Sequence, residues 1–184
     1  QQQWRTSFCW LTLLVAPIAT YQIRGGFAKI LSTVAKTRKL RYPVDISGLR
    51  IFLSEDDDMT FDGPIVVTKD MRPPLGFAFY SQKQEHGEWM PMPYGKRVLD
   101  LCAVLLSASD VWHPITSNMN QTRCPFKKHH TEHFHMLKTG LFGFEDYLQE
   151  FTGEWRIFVE LTVTRVAPLP EVSCIMTEVS IVEH

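Results

Sequence analysis

WRIFVELTVTRV, residues 155–166, decides the fold. Trp155, Ile157, Val159, Leu161 and Val163 fall at every second position, while Arg156, Glu160, Thr162 and Thr164 stand between them with Phe158 in their row. Successive side chains of a β-strand point to opposite faces, so the alternation predicts a strand with one dry face. Residues 172–182 follow after Ala167-Pro168-Leu169-Pro170-Glu171, a connection of hairpin length, and are rich in β-branched side chains (Val172, Ile175, Thr177, Val179, Ile181, Val182). Proline cannot donate in a central ladder, which places both prolines in the turn and predicts a C-terminal hairpin.

Working toward the N-terminus, further short apolar or alternating runs appear at residues 46–53, 63–69, 75–81 and 88–93. They are separated by Ser54-Glu55-Asp56-Asp57-Asp58, by Arg72-Pro73-Pro74 and by Glu85-His86-Gly87, the kind of punctuation expected between antiparallel strands. Residues 97–107 (RVLDLCAVLLS) suit either a helix with a wide apolar face or a buried strand. No repeat, low-complexity tract or linker interrupts this region. The expected fold is therefore all-β with at most one short helix, an antiparallel β-sandwich or cup forming one domain over residues 44–184.

Of the 184 residues, 45% are hydrophobic and 21% charged, enough apolar material for a packed core. The formal net charge is only -1, which argues against a general nucleic-acid binder. The charge is unevenly spread. Residues 1–41 hold seven of the 19 basic side chains and no Asp or Glu, leaving 12 basic against 20 acidic from residue 42 onward, a balance of -8. Residues 1–43 thus form a basic leader, and FCWLTLLVAPIA at 8–19 matches the hydrophobic stretch of a signal peptide over about residues 8–20 while being too short to span a bilayer. A buried N-terminal element and an organellar presequence are the competing readings. Secretion without an integral membrane segment is the expectation adopted.

Cys9, Cys102, Cys124 and Cys174 show no CxxC and no metal-finger spacing, so structural zinc through thiolates is disfavoured. Cys102 with Cys124 is the preferred disulfide, because closing a loop of about twenty residues stabilises by about 3 kcal/mol in the chain-entropy model. Removal of the leader with Cys9 would leave Cys174 over. Asn120-Gln121-Thr122 is an N-glycosylation sequon in a polar stretch, with Asn120 the acceptor.

The densest polar cluster is His129-His130-Thr131-Glu132-His133-Phe134-His135. A helix would bring His129 and His133 together and a strand His133 and His135, but no further metal ligand is named, and a solvated loop is the preferred reading. Imidazoles gain charge as a compartment acidifies, so the cluster also reads as a pH-sensitive surface. Glu55-Asp56-Asp57-Asp58 lacks the glycine and bidentate glutamate of a calcium loop. Glu145, Asp146, Glu150 and Glu154 could pair as acid and base, yet nothing places two of them in one cleft. The chain contains no GxSxG, Walker loop, GxGxxG or HExxH. No catalytic residue, metal or cofactor is expected, and the chain is not read as an enzyme.

Large apolar side chains are abundant, with twelve Phe, five Trp, five Tyr and seven Met. Several stand beside Gly or Pro, as in Trp89-Met90-Pro91-Met92-Pro93 and Leu141-Phe142-Gly143-Phe144, where they suit the wall of an opening as well as a filled core. As cavity-lining residues the sequence offers Phe77, Phe79, Trp89, Trp112, Phe134, Met136, Trp155, Ile157 and Val159.

The motif order Phe77-Ala78-Phe79-Tyr80, Trp89-Met90-Pro91-Met92-Pro93-Tyr94, Val98-Leu99-Asp100-Leu101-Cys102, Arg123-Cys124-Pro125-Phe126-Lys127 and Gly153-Glu154-Trp155-Arg156-Ile157 resembles insect secreted proteins of the CheA/CheB chemosensory type. These are relatives of the ganglioside-activator branch of the ML lipid-recognition superfamily. The resemblance covers roughly residues 44–184. It implies a secreted β-sandwich or cup with a hydrophobic cavity, binding a lipid or hydrophobic semiochemical without catalysis, in gustatory or pheromone perception. It also implies that Cys102 and Cys124 are the recurring cysteine pair and that Trp155 opens the matching strand. Two features depart from the pattern: Phe151-Thr152-Gly153-Glu154 lacks the proline usual near that turn, and the leader is longer than a signal peptide requires. A contrasting expectation is an extracellular sandwich that uses exposed aromatic patches to bind a protein partner or receptor.

Overall fold

A computed structural model describes residues 28–34, 42–54, 58–142, 151–163 and 171–183. The described residues form an all-β sandwich of two antiparallel sheets with two one-turn helices. One sheet runs β1 (Ala28–Val34), β9 (Glu171–Glu183), β8 (Gly153–Val163), β5 (Leu75–Glu85) and β6 (Glu88–Val98). The other has β4 (Met59–Val67) at its centre, with β2 (Val44–Asp45) and β3 (Arg50–Leu53) along one edge and β7 (Thr131–Lys138) along the other.

β8 is the middle strand of its sheet, paired along its length with β5 on one side and β9 on the other. Its alternation therefore sets the alternation of the whole sheet. Trp155, Leu161 and Val163 point inward and are buried, in register with Val179 on β9 and with Phe77 and Leu75 on β5. Phe158, the apolar residue in the polar row, is buried on the outer face, stacked on Tyr80 at 4.8 Å between ring centroids and 10° between planes. Ion pairs Arg97–Glu160 (3.0 Å) and Arg156–Glu178 (2.9 Å) flank it. Ala78 sits in register with both Arg97 and Glu160, and its methyl leaves room for that pair to close over it.

The C-terminal hairpin expected from residues 155–166 and 172–182 is β8 and β9, and the residues between them lie outside those described. The expected strand at 75–81 runs on to Glu85, because His86 (φ 52) and Gly87 (φ 87) form a two-residue turn in the left-handed region that lets β5 continue directly into β6. β6 is an edge strand, where Pro91 and Pro93 are tolerated, and its register against β5 shifts between Tyr80 and Ser81. The strand expected at 46–53 is only β3. Its first half is a turn in which Asp45 Oδ1 accepts from Ser47 N (2.8 Å) and Ile46 O from Leu49 N (3.0 Å).

The ambiguous stretch 97–107 is neither one helix nor one strand. It ends β6 at Val98 and then forms α1 (Leu101–Val104), where Asp100 Oδ1 accepts from Cys102 N (3.1 Å) and from Leu75 N (3.0 Å). α2 (His113–Thr116) follows, so the described residues hold two short helices where at most one was expected. Cys102 and Cys124 are bonded, with Cα atoms 5.8 Å apart, and Cys174 on β9 is not a free thiol either, contrary to the leftover cysteine foreseen. β1 lies inside the basic stretch and pairs with β9 from Ala28↔Glu183 to Val34↔Thr177, a strand that the alternation of residues 22–41 did not announce. The signal-peptide stretch at residues 8–20 lies outside the described residues, as do Glu55, Asp56, Asp57, Glu145, Asp146 and Glu150.

Gly63 on β4 has φ +123°, and a Cβ there would stand 2.3 Å from the carbonyl oxygen of Gly48. Gly63→Ala is expected to lower stability by more than about 1 kcal/mol through strain and backbone collision together. Gly87→Ala, where a Cβ meets nothing within 4 Å, is expected to lose less. The shift of the urea midpoint in each variant checks the order.

Candidate functional site: the inner face of the five-stranded sheet

Among the described residues the interior is packed in two separate places. At one end Val67, Met71, Leu75, Leu105, Phe126, Leu161 and Val163 form a buried cluster, and at the other Leu141, Trp155 and Val179 form a second. Between them runs the register row Phe79–Val159–Ile175, on the inward side of three adjacent strands. All three are only partly buried and none belongs to either cluster. Val159 is the midpoint of the inward row that starts at Trp155 and ends at Val163.

Of the sequence-predicted lining residues, Phe77, Phe79, Trp155, Ile157 and Val159 share this inner face. Phe77 lies 6.2 Å from Phe79 and meets Trp112 edge-on at 5.4 Å, so Trp112 joins the group from the loop before α2. Trp155 is 5% exposed, and its Nε1 donates to the carbonyl oxygen of Phe151 at 2.7 Å. That makes it an anchor of the closed end more than an open wall.

Phe134 is buried on β7 in the other sheet, in register with Gly63. Two expected residues do not converge. Trp89 is in register with Gln84 on the outer face, under the Arg156 guanidinium at 3.9 Å. Met136 occupies the irregularity where β7 shifts register against β4, has φ 50° and is 54% exposed.

A polar group closes the edge-strand end of the row. Lys96 is in register with Phe79, lies 5.3 Å from the centroid of the Trp112 ring and forms an ion pair with buried Asp110. The Lys96 hydrogen bond, followed by that of Ser107, holds the Asp110 carboxyl below the usual carboxylate range.

Sequence reasoning missed a second polar feature, Glu132. It points inward from β7 and is only 3% exposed. Its oxygens accept from Asn120 N (2.7 Å) and Gln121 N (2.9 Å) and contact His130 Nε2 (2.6 Å). Burial alone would raise its pKa, but the two backbone amides and His130 outweigh that and lower it. Phe134, two residues on along the same strand face, was the available signal that position 132 points inward.

His129 and His130 lie in the turn before β7, while residues 131–135 are on the strand and not in the solvated loop expected, which brings His133 and His135 together with rings stacked at 6.3 Å, both exposed. His130 is taken by Glu132, and among the described residues no three His, Cys, Asp or Glu side chains converge to hold a metal ion. Glu154, the one described member of the carboxylate quartet, accepts from the Ser180 hydroxyl at 2.6 Å. Among the described residues no helix is long and apolar enough to cross a membrane.

No protein-family model matches the chain, and no curated protein matches it.

Glu132→Gln would replace one accepting oxygen by an NH2 facing backbone N–H groups, at a cost of about 1–3 kcal/mol at neutral pH. A lowered folded-state pKa means that the carboxylate stabilises above the unfolded glutamate value of about 4.3, and that this contribution is lost as pH falls through the folded value. The expected result is a lower Tm for the variant at pH 7, with the gap to the parent narrowing under acid.

Proposed function

We propose that the protein is a secreted, non-catalytic carrier of a lipid or other hydrophobic semiochemical, held between the two sheets against Phe79, Val159 and Ile175. The observation that supports it best is the middle row: apolar side chains of the central strands only partly buried on the inward face, between the two buried clusters of the described residues. Water against such a wall is displaced favourably by an alkyl chain, and each methylene buried contributes about 0.8 kcal/mol. Lys96 and Asp110 at the edge-strand end would orient the polar head. The motif resemblance to CheA/CheB-type proteins points the same way, toward gustatory or pheromone perception.

The competing reading, a sandwich docking a protein partner through exposed aromatics, has less support. Among the described residues the exposed large hydrophobics are Met90, Leu99, Leu106, Val111, Met136 and Val172, none of them aromatic.

Secretion also predicts a glycan. Asn120 is exposed, while its backbone and that of Gln121 are held by Glu132, so the acceptor amide is presented outward on a fixed loop. Protein from a secreting cell is expected to lose mass on treatment with an N-glycosidase, and Asn120→Gln to abolish that difference. Secreted protein of bare polypeptide mass would remove the glycan from the proposal.

Val159→Phe tests the site itself by filling it without changing its polarity. A folded variant is expected to bind a fluorescent fatty-acid probe at least about tenfold more weakly, equivalent to about 1.4 kcal/mol, and Phe79→Ala to weaken it as well. Unchanged probe affinity in both folded variants would contradict the assignment.

A further inference from the structure

From residue 42 onward the chain is acidic by eight charges, yet one end of the sandwich is basic. Two segments meet there, residues 70–72 and 123–129, joined by the bridge Met71↔Phe126 with Met71 N→Phe126 O at 2.8 Å and Phe126 N→Met71 O at 2.9 Å. Three further ties fix their backbones. Lys128 N donates to Asp70 Oδ1 (2.8 Å), His129 N donates to Val67 O (2.7 Å), and Cys124 is bonded to Cys102.

The large apolar residues of both segments turn inward, Met71 at 5% exposure and Phe126 at 4%, while Pro125 stays exposed. What they leave outside is cationic: Arg72, Arg123, Lys127 and Lys128, all exposed, with exposed His129 beside them. Asp70 is the carboxylate among them. It takes the Lys128 backbone N–H, which together with the charges of Lys127, Arg72 and Lys128 holds its carboxyl below the usual carboxylate range. Arg72 Nη2 is 4.0 Å from Asp70 Oδ2 and 66% exposed, so the carboxylate does not saturate it. The nearby carboxylate of Glu132 is buried and spent on Asn120, Gln121 and His130.

From this fixed and locally cationic surface we infer that the bridged segments 70–72 and 123–129 form a docking site for a sulfated polysaccharide chain. Several rigidly spaced cations with few counter-charges suit a linear polyanion, whose released counterions favour the contact. The inward turn of Met71 and Phe126 leaves Pro125 as the exposed apolar side chain of the two segments, too little to enter a bilayer, which favours a glycan over a lipid surface. The site is independent of the interior ligand. Its biological use rests on secretion, but its binding can be read on purified protein whatever the route of export.

Heparin is the probe. The purified protein is expected to be retained on immobilised heparin at neutral pH and to elute only above physiological ionic strength, about 0.15 M. Lys127→Gln with Lys128→Gln is expected to move it to the low-salt wash. Both side chains are exposed and only the Lys128 backbone is bonded to Asp70, so the near-ultraviolet circular dichroism should be unchanged.

Arg50→Gln with Lys138→Gln removes the same charge at the opposite end of β4 and should leave retention intact. Flow-through of the parent protein at low salt would overturn the inference. So would equal loss in the two double variants, or binding to phosphatidylserine vesicles with no retention on heparin.

Discussion

Every backbone group along the middle strand of a sheet is claimed by a neighbour, so the side-chain parity of β8 becomes the parity of β5 and β9 in register with it. A slip of one residue would send Trp155, Leu161 and Val163 to the outer face and bring Arg156 and Glu160 inside. Both closed ends of the interior depend on this, since Leu161 and Val163 belong to one cluster and Trp155 to the other. So does the partly buried row between them, because Val159 can face the second sheet only while its odd-numbered neighbours do.

Alternation in residues 155–163 was readable because polar side chains stand between the inward apolar ones, and residues 172–182 were readable from their β-branched side chains and the prolines before them. The same property hid other parts. Residues 97–107 could not be resolved by periodicity, since Asp100 ends one element and caps the next through a bond to Leu75, a residue 25 positions away. β1 carries no such alternation and is defined by its long-range pairing to β9. Cys102 with Cys124 was reachable by loop length, and the structure joins them.

The lining residues were legible only in part. Phe77, Phe79, Ile157 and Val159 share a face because strand periodicity fixes their direction. Trp89 and Met136 were chosen for size, and size says nothing about side. An edge strand with two prolines carries Trp89 to the outer surface beneath Arg156, and a local irregularity in β7 exposes Met136. Glu132 went unnoticed because its partners are backbone amides of a loop twelve and eleven residues earlier. Buried acceptors of this kind leave no compositional trace.

In the function proposed above, the partly buried middle row Phe79–Val159–Ile175 holds an apolar ligand. Native mass spectrometry of protein taken from a secreting cell, followed by denaturation and solvent extraction, tests it most directly. A discrete additional mass that partitions into organic solvent is the expected result. Bare protein, unable to take up a fluorescent fatty-acid probe, would contradict it.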